Sequence, residues 1–283
     1  MLIENTMFGI NDKVKKSIDR LKAFEPPEGY YLCFSGGKDS QCIYHLAKEA
    51  GVKFDAHYNV TGIDPPELVY FIRENYPDVI FENYDKSIFQ LIEEKGLPTR
   101  LRRFCCSELK ERGGEGRLCV TGVRWAESNK RKNRKPFEIV TSKKEDKKLF
   151  NDNDIDRRLF ESCMQKGKRV INPIIDWSDN DVWEFIHSRN LKYCKLYDEG
   201  YKRLGCIGCP LSSHMKEELD KYPKFAENYI KAIQRFVPRY LERCKAKGRE
   251  PFLDNAQDWY LWWVGDLLIN KNIKGQTDIF EED

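Results

Sequence analysis

No stretch of this chain approaches the roughly 18 consecutive apolar residues that a membrane-spanning helix needs, which excludes a helical anchor. Charge of one sign is also scarce: 49 Lys and Arg stand against 46 Asp and Glu, a formal net charge of +3. That balance alone demands neither nucleic acid nor a membrane surface. There is no internal repeat and no low-complexity tract. Met1–Glu4 lacks the basic-then-apolar pattern of a secretion signal. Histidine is sparse, and His45, His57, His187 and His214 are read as structural. What is present is a globular composition. The 283 residues are 40% apolar, 34% charged and 13% aromatic, enough to bury a core and to exclude wholesale disorder. Ten cysteines without a secretion pattern point to thiols in a reducing compartment, and so to metal or redox chemistry over disulfide staples. A soluble, cytoplasmic protein is expected.

The hydrophobic pattern alternates between strand and helix periods. Asn11–Phe24 reads as a helix capped by Asn11, with Val14, Ile18 and Leu21 on one face. Tyr30–Phe34 is a run of strand length, followed by Ser-Gly-Gly-Lys-Asp-Ser at 35–40 and a helix over 41–50. Strands near 53–59, 79–84, 118–123 and 170–175 alternate with helices near 65–75 and 87–95, and with one opened by Ser178 and Asp181 as a capping box. This predicts an α/β fold built on a doubly wound parallel sheet, with ligands beyond the carboxyl ends of its strands. After Pro210 the pattern is helical only, with a helix over 224–247 that Pro238 should kink or restart and an aromatic helix over 255–266. The expected organisation is a domain at 1–210 with a polar, basic insertion near 129–168, then a helical appendage at 211–283.

Ser35, Gly36, Gly37, Lys38, Asp39 and Ser40 stand where a strand hands over to a helix N-terminus. Paired glycines let backbone N–H groups turn toward an anion, and the helix end adds partial positive charge. Lys38 supplies a point charge. Asp39 would be costly beside phosphate unless it faces Mg²⁺ or caps the helix. The spacing is not that of the Walker loop; it resembles the PP-loop of ATP pyrophosphatases, which cleave nucleotides between the α- and β-phosphates.

Cysteines form two further motifs, the vicinal pair Cys105-Cys106 and the knuckle Cys206-Ile207-Gly208-Cys209. A Cys-x-x-Cys knuckle commonly binds metal. Adjacent thiolates chelate one small tetrahedral ion only with strain, whereas a cubane offers each its own iron. On residue types alone, an iron–sulfur cluster, zinc and buried free thiols all remain open.

Several stretches together resemble the phosphoadenosine phosphosulfate (PAPS) reductase family. They are Ser35–Ser40, Cys105–Lys110, Thr121–Arg124 with Glu127, Ser128 and Arg131, Asn172–Ile174 with Trp177, Asp181–Trp183, and Leu196–Tyr201 leading into Gly205–Cys209. The resemblance covers about residues 28–210, in order. It implies an adenine nucleotide α-hydrolase-like fold that binds ATP or an adenylyl-sulfate with Mg²⁺. In the cluster-bearing branch, typified by adenylyl-sulfate (APS) reductases, the cysteine pairs ligate a [4Fe–4S] cluster. Carried over, the ligands are Cys105, Cys106, Cys206 and Cys209, with zinc as the alternative metal. The resemblance further implies that Lys110, Arg124 and Arg131 line a phosphate or sulfate site, for which arginine forks are suited. Asp39 with Asp64 would organise Mg²⁺, Arg124 and Arg131 would neutralise charge developing at the α-phosphorus, and the cluster would lie beside this site.

Two departures pull away from sulfate reduction. The reductases carry a catalytic Cys in a C-terminal Glu-Cys-Gly-Leu-His segment, absent here; the only cysteine beyond Cys209 is Cys244. An intact Ser-Gly-Gly-Lys-Asp-Ser loop is also more typical of members that use ATP. The leading expectation is therefore nucleotide cleavage or use at the α-phosphate, serving sulfur transfer or acceptor adenylylation. The sulfur acceptor is unnamed, with nucleic acid among the candidates, and a thiol reductant or sulfur-donor protein is an expected partner. The alternatives are a true APS/PAPS reductase using Cys244 as nucleophile, and a zinc-stapled nucleic-acid-binding module without catalysis. The basic run Arg124–Lys148 and the series Lys231, Arg235, Arg239, Arg243 and Lys247 are read as solvated surface. Tyr229, Phe236, Tyr240, Trp259, Tyr260, Trp262 and Trp263 are read as packing of the helical tail against the sheet domain, and Cys33, Cys42 and Cys119 as small buried residues. Cys163 and Cys194 are unassigned.

Overall fold

The apolar run before the glycine pair forms the strand Tyr30–Cys33, an interior strand of a seven-stranded sheet. The computed structural model describes residues 1–7, 9–129, 131–140, 149–150 and 168–267. In spatial order the strands are Ile80–Glu82, Phe54–Asn59, Tyr30–Cys33, Leu118–Val120, Lys168–Ile171, Phe137–Val140 and Leu149–Phe150. The first five run parallel, as the alternation predicts. The last two are antiparallel, so the sheet is mixed at one edge. Phe137–Val140 lies inside the segment expected as a polar excursion. Phe137 and Ile139 alternate into the core at 1% and 2% exposure, and Glu138 between them is paired with Arg134. A period-2 pattern was thus embedded in a basic run. Residues 141–148 and 151–167, with Cys163, lie outside the described residues.

The chain divides into two compact units. One comprises Met1–Asn59, Pro66–Glu82 and Gly113–Leu204; the other comprises Val60–Pro65, Asn83–Arg112 and the chain from Gly205 onward. The units change at Leu204–Gly205, near the expected boundary at 210, but the second unit also takes Val60–Pro65 and Asn83–Arg112, because the C-terminal helices share a core with 83–112. In that second core, Ile88, Ile92 and Leu97 meet Tyr229, Ile233, Phe236, Trp259 and Trp263. Trp263 donates its indole N–H to the Pro98 carbonyl at 2.8 Å, and Tyr229 its hydroxyl to the Ile207 carbonyl at 2.9 Å. These aromatics are core residues, packed on 88–98 within their own unit. Pro238 lies inside one continuous helix, Pro223–Ala246, and does not restart it. The lost backbone bond is outweighed by the face that the helix buries before the proline, Tyr229, Ala232, Ile233, Phe236 and Val237, with Tyr240 and Leu241 partly buried after it.

In the first unit, helix Lys13–Ala23 begins one residue later than expected, capped by Asp12. Ser178 and Asp181 form the predicted capping box at the start of helix Asp179–Ser188. The predicted strand 170–175 ends at Ile171, because Asn172 turns its side-chain amide to the Lys135 carbonyl and to Glu138. Cys42 and Cys119 are buried, as is Cys194, while Cys33 is half-buried. His57 has the partners the sequence did not reveal: Glu82 at 2.6 Å on Nδ1, and Asp55 on Nε2. The pattern also missed the hairpin Ile3–Thr6 with Gly9–Asp12 and the short helix Phe104–Leu109.

Arg20 anchors the loop after Ile171, with Nη1 donating to the Pro173 carbonyl and to Asp176, both at 2.8 Å. Burial raises the Asp176 carboxyl, but Arg20 and then Lys16 outweigh it and hold it below the usual range. A carboxyl lowered in the folded state contributes stability above its unfolded value, and that contribution is lost as pH falls through the folded one. Asp176→Asn is expected to cost about 2 kcal/mol at neutral pH, with the gap to wild type closing below about pH 4. Urea unfolding across that range checks it; a pH-independent gap would contradict it.

Candidate functional site

The glycine turn is shaped by what surrounds it. Gly36 has φ +71°, and a Cβ there would lie 2.6 Å from the Ile72 side chain and 2.8 Å from Leu68. Gly37 caps helix Lys38–Ala50, which begins three residues earlier than predicted, so Lys38 and Asp39 occupy its first turn. The turn is braced from inside. Gln41 Nε2 donates to the Gly36 carbonyl at 3.0 Å, the Ser40 hydroxyl to the Gly37 carbonyl at 2.8 Å, and Ser35 to Ser40 at 3.3 Å.

Parallel register brings a second segment to this turn. Leu32 is paired with Val120, so the residues following each strand emerge side by side. Thr121–Arg124 follows Val120, and Gly122 lies so close that a Cβ would be 3.1 Å from the Asp39 backbone. Arg124 is 1% exposed. Its Nε donates to Asp39 at 2.6 Å, Nη2 to Asp179 at 2.9 Å and Nη1 to the Trp177 carbonyl at 3.3 Å. Partial desolvation raises the Asp179 carboxyl, but Arg124 and Lys38 hold it lower overall. Lys38 is buried; its ammonium donates to the Lys202 carbonyl at 2.9 Å and lies 3.5 Å from Asp179. Glu127 accepts from the Arg124 amide at 3.0 Å and also pairs with Arg131. Burial lowers Arg131 to about 10, with Arg203 and Arg134 adding repulsion. Within one unit the fold therefore gathers Ser35–Ser40, Arg124 and Arg131, and adds Asp179, Tyr197, Glu127 and the Lys202 carbonyl. Asp179 and Lys202 carried no sequence signal beyond ordinary helix-start and loop chemistry. Tyr197 and Glu127 lay in stretches matched to the family without an assigned role.

Asp64, Lys110 and the four cysteines of the two motifs belong to the second unit. Cys105 and Cys106 lie on helix Phe104–Leu109. Cys206 leads a tight turn in which the Cys209 amide donates back to its carbonyl at 3.2 Å, and the Ile207 amide donates to the Ile63 carbonyl at 2.7 Å. Gly208 has φ +72°, with a Cβ position 3.0 Å from the Tyr229 ring, so packing and backbone both demand glycine. The Thr61 hydroxyl donates to Asp64 at 2.9 Å, and the Cys206 thiol lies 3.8 Å from that hydroxyl. The thiols act on one another. Hydrogen bonding with Cys106 raises Cys105, further raised by burial and by Cys206 and Cys209; the same bond lowers Cys106 to about 6, helped by Lys110. Burial pushes Cys206 up to about 12, against the pull of Lys110. Burial works against the Lys110 charge, yet Cys206 and Asp64 raise it overall. Among the described residues no three Cys, His, Asp or Glu side chains stand close enough to hold a single metal ion. Cys244 is half-buried, and after burial its thiol helps to raise the Tyr240 phenol.

Residues 29–212 match the phosphoadenosine phosphosulfate reductase domain. The chain belongs to that family. A protein of uncharacterised function from Methanocaldococcus jannaschii is 26% identical over 252 residues, covering 80% of this chain and 57% of its own length. The chain thus spans little more than half of that relative. The Schizosaccharomyces pombe protein named "Probable FAD synthase" is 29% identical over 213 residues, covering 71% of this chain and 69% of that one. The structure of a PAPS reductase from Candida auris, in a phosphate complex, aligns with TM-score 0.46 and 16% identity over 68% of this chain and 88% of its own. Among the described residues no helix is long and apolar enough to cross a membrane.

Proposed function

We propose that this PAPS reductase family chain binds an adenine nucleotide at Ser35–Ser40 and uses it at the α-phosphate, for sulfur transfer or acceptor adenylylation. The observation that carries the reading is the network around Lys38, in which a buried Arg124 bridges Asp39 and Asp179 beside an N-terminal helix turn capped by glycine. Backbone N–H groups and the Lys38 ammonium hold the phosphates. Arg124, locked by two carboxylates, and Arg131 set positive charge where the transition state gains negative charge, without reorganisation. Asp39, oriented by Arg124, would be the carboxylate that holds Mg²⁺, which would draw charge off the leaving pyrophosphate.

Cys105, Cys106, Cys206 and Cys209 would hold a [4Fe–4S] cluster. Their fit rests on the donor set: four thiols, of which Cys106, Cys206 and Cys209 all act on Cys105, with the Lys110 ammonium close enough to balance thiolate charge. Such a cluster supplies a local electrostatic field or a redox centre when bound. A single zinc ion has less support, because no three of these donors are arranged around one point among the described residues.

The test is anaerobic purification of the full chain, with iron, sulfide and zinc quantified. ATP, APS and PAPS are then offered separately with Mg²⁺ and a dithiol. Pyrophosphate and AMP from ATP are expected, together with iron and sulfide. Sulfite from APS or PAPS, abolished by Cys244→Ser, would replace this reading with a reductase. Zinc without turnover of any nucleotide would replace it with a binding module.

A further inference from the structure

The turn Lys195–Tyr197 and the residues up to Arg203 hold the two Lys38 groups that phosphate would need. The Lys38 backbone N–H donates to the Tyr197 phenol oxygen at 2.9 Å, while the ammonium donates to the Lys202 carbonyl at the same distance. The ammonium also lies 5.8 Å from the centre of the Tyr197 ring. The phenol oxygen is 3.4 Å from the position of a Cβ on Gly37, which puts it directly over the glycine turn. Burial pushes the phenol well above its ordinary range, so it stays a neutral hydroxyl. A neutral hydroxyl is a weaker acceptor than a phosphate oxyanion, whose bond to a backbone N–H is charge-assisted. The amide in question sits at a helix N-terminus, where partial positive charge further favours the anion.

We propose that Tyr197 is a positioning residue that holds the place of a phosphate oxygen on the Lys38 amide, and that the bound nucleotide takes that amide from it. The proposal rests on the reading of Ser35–Ser40 as a phosphate loop and adds what sets its affinity. Tyr197 keeps the first helix amide satisfied and the glycine turn braced, and binding exchanges one acceptor for a stronger one. The exchange moves the phenol off the turn. It therefore disturbs the Tyr197 ring, which meets the Trp183 indole edge-on at 5.1 Å. Trp183 sits on the helix that also carries Asp179, so its emission reports the displacement from within the same unit.

The experiment titrates the full chain with inorganic pyrophosphate and Mg²⁺, followed by calorimetry and by tryptophan emission. Wild type is compared with Tyr197→Phe, Trp183→Phe and Lys38→Ala, each checked for folding by circular dichroism. Tyr197→Phe has no hydroxyl to displace and is expected to bind about fivefold tighter. Wild-type emission is expected to change on saturation, with most of that change missing from Trp183→Phe. A merely structural tyrosine would lower affinity and stability together when its hydroxyl is removed. Equal or weaker binding by Tyr197→Phe overturns the proposal. Unaltered pyrophosphate binding by Lys38→Ala overturns the phosphate-loop reading itself, independently of what Tyr197 does.

Discussion

Arg124→Gln is expected to destabilise the chain by about 2–3 kcal/mol and to remove measurable nucleotide binding. Arg124 is 1% exposed and holds two carboxylates, Asp39 through Nε and Asp179 through the Nη2 branch of its guanidinium. Glutamine keeps much of the length and some hydrogen bonding but none of the charge. Asp39 and Asp179 would then repel each other, and the Lys38 ammonium alone would face both. The two branches are unequal. The Asp179 side chain is 65% exposed, so water screens it and that branch contributes little; the Asp39 branch, with a side chain 24% exposed, carries most of the effect. Arg124→Lys separates charge from geometry. It restores a cation but cannot bridge both carboxylates, and its loss should fall between wild type and Gln. Chemical unfolding and ATP titration measure the two effects. A Gln variant as stable as wild type, with unchanged ATP affinity, would remove Arg124 from the site.

Gly36→Ala should cost about 2–4 kcal/mol, from two separable sources. Alanine at φ +71° pays roughly 1 kcal/mol for the left-handed backbone. The added methyl must also displace Ile72, buried at 0% exposure and 2.6 Å from the new Cβ, and Leu68 at 2.8 Å. These side chains belong to helix Pro66–Asn75, so relief requires moving either that helix or the glycine turn. Moving the turn shifts the Lys38 amide, and nucleotide affinity falls with stability. Gly37→Ala is the control. Gly37 has φ −76°, and its new Cβ would make only ordinary contact with the Tyr197 oxygen at 3.4 Å, so the expected cost is under about 1 kcal/mol. In an Ile72→Ala background, itself destabilised by the buried side chain it removes, the added cost of Gly36→Ala should shrink toward the backbone part plus the remaining Leu68 contact. Equal destabilisation by the two glycine substitutions would show that neither the left-handed conformation nor the Ile72 contact governs this turn.

Local order was legible where one short segment decides it. Tyr30–Cys33 is a strand because a short apolar run is bounded by turn residues, and Ser178 caps a helix because Asp181 lies three residues on. The glycine turn was legible because the left-handed backbone and close packing at Gly36 demand glycine, and the paired cysteines stood out by their spacing alone. Legibility failed where distant packing outvoted local preference. Pro238 stays inside a helix because the turns before it bury Phe236 and Val237 in the core and Tyr240 and Leu241 after it pack against that core, and Phe137–Val140 joins the sheet despite the basic residues before it.

By itself the sequence determined the α/β class, the order of the parallel strands along the chain, the family and the residues with the chemistry to bind phosphate or metal. Only the tertiary structure decided their partners. Arg124 meets Asp39 across a separation of 85 positions because Leu32 and Val120 are neighbours in a parallel sheet, so the segments after them open at the same edge. In the same way Tyr197 reaches Lys38, and the C-terminal helices share a core with residues 83–112. Side-chain type and short spacing are local properties of the chain. Strand pairing and long-range burial are not, and they decide which charge finds which.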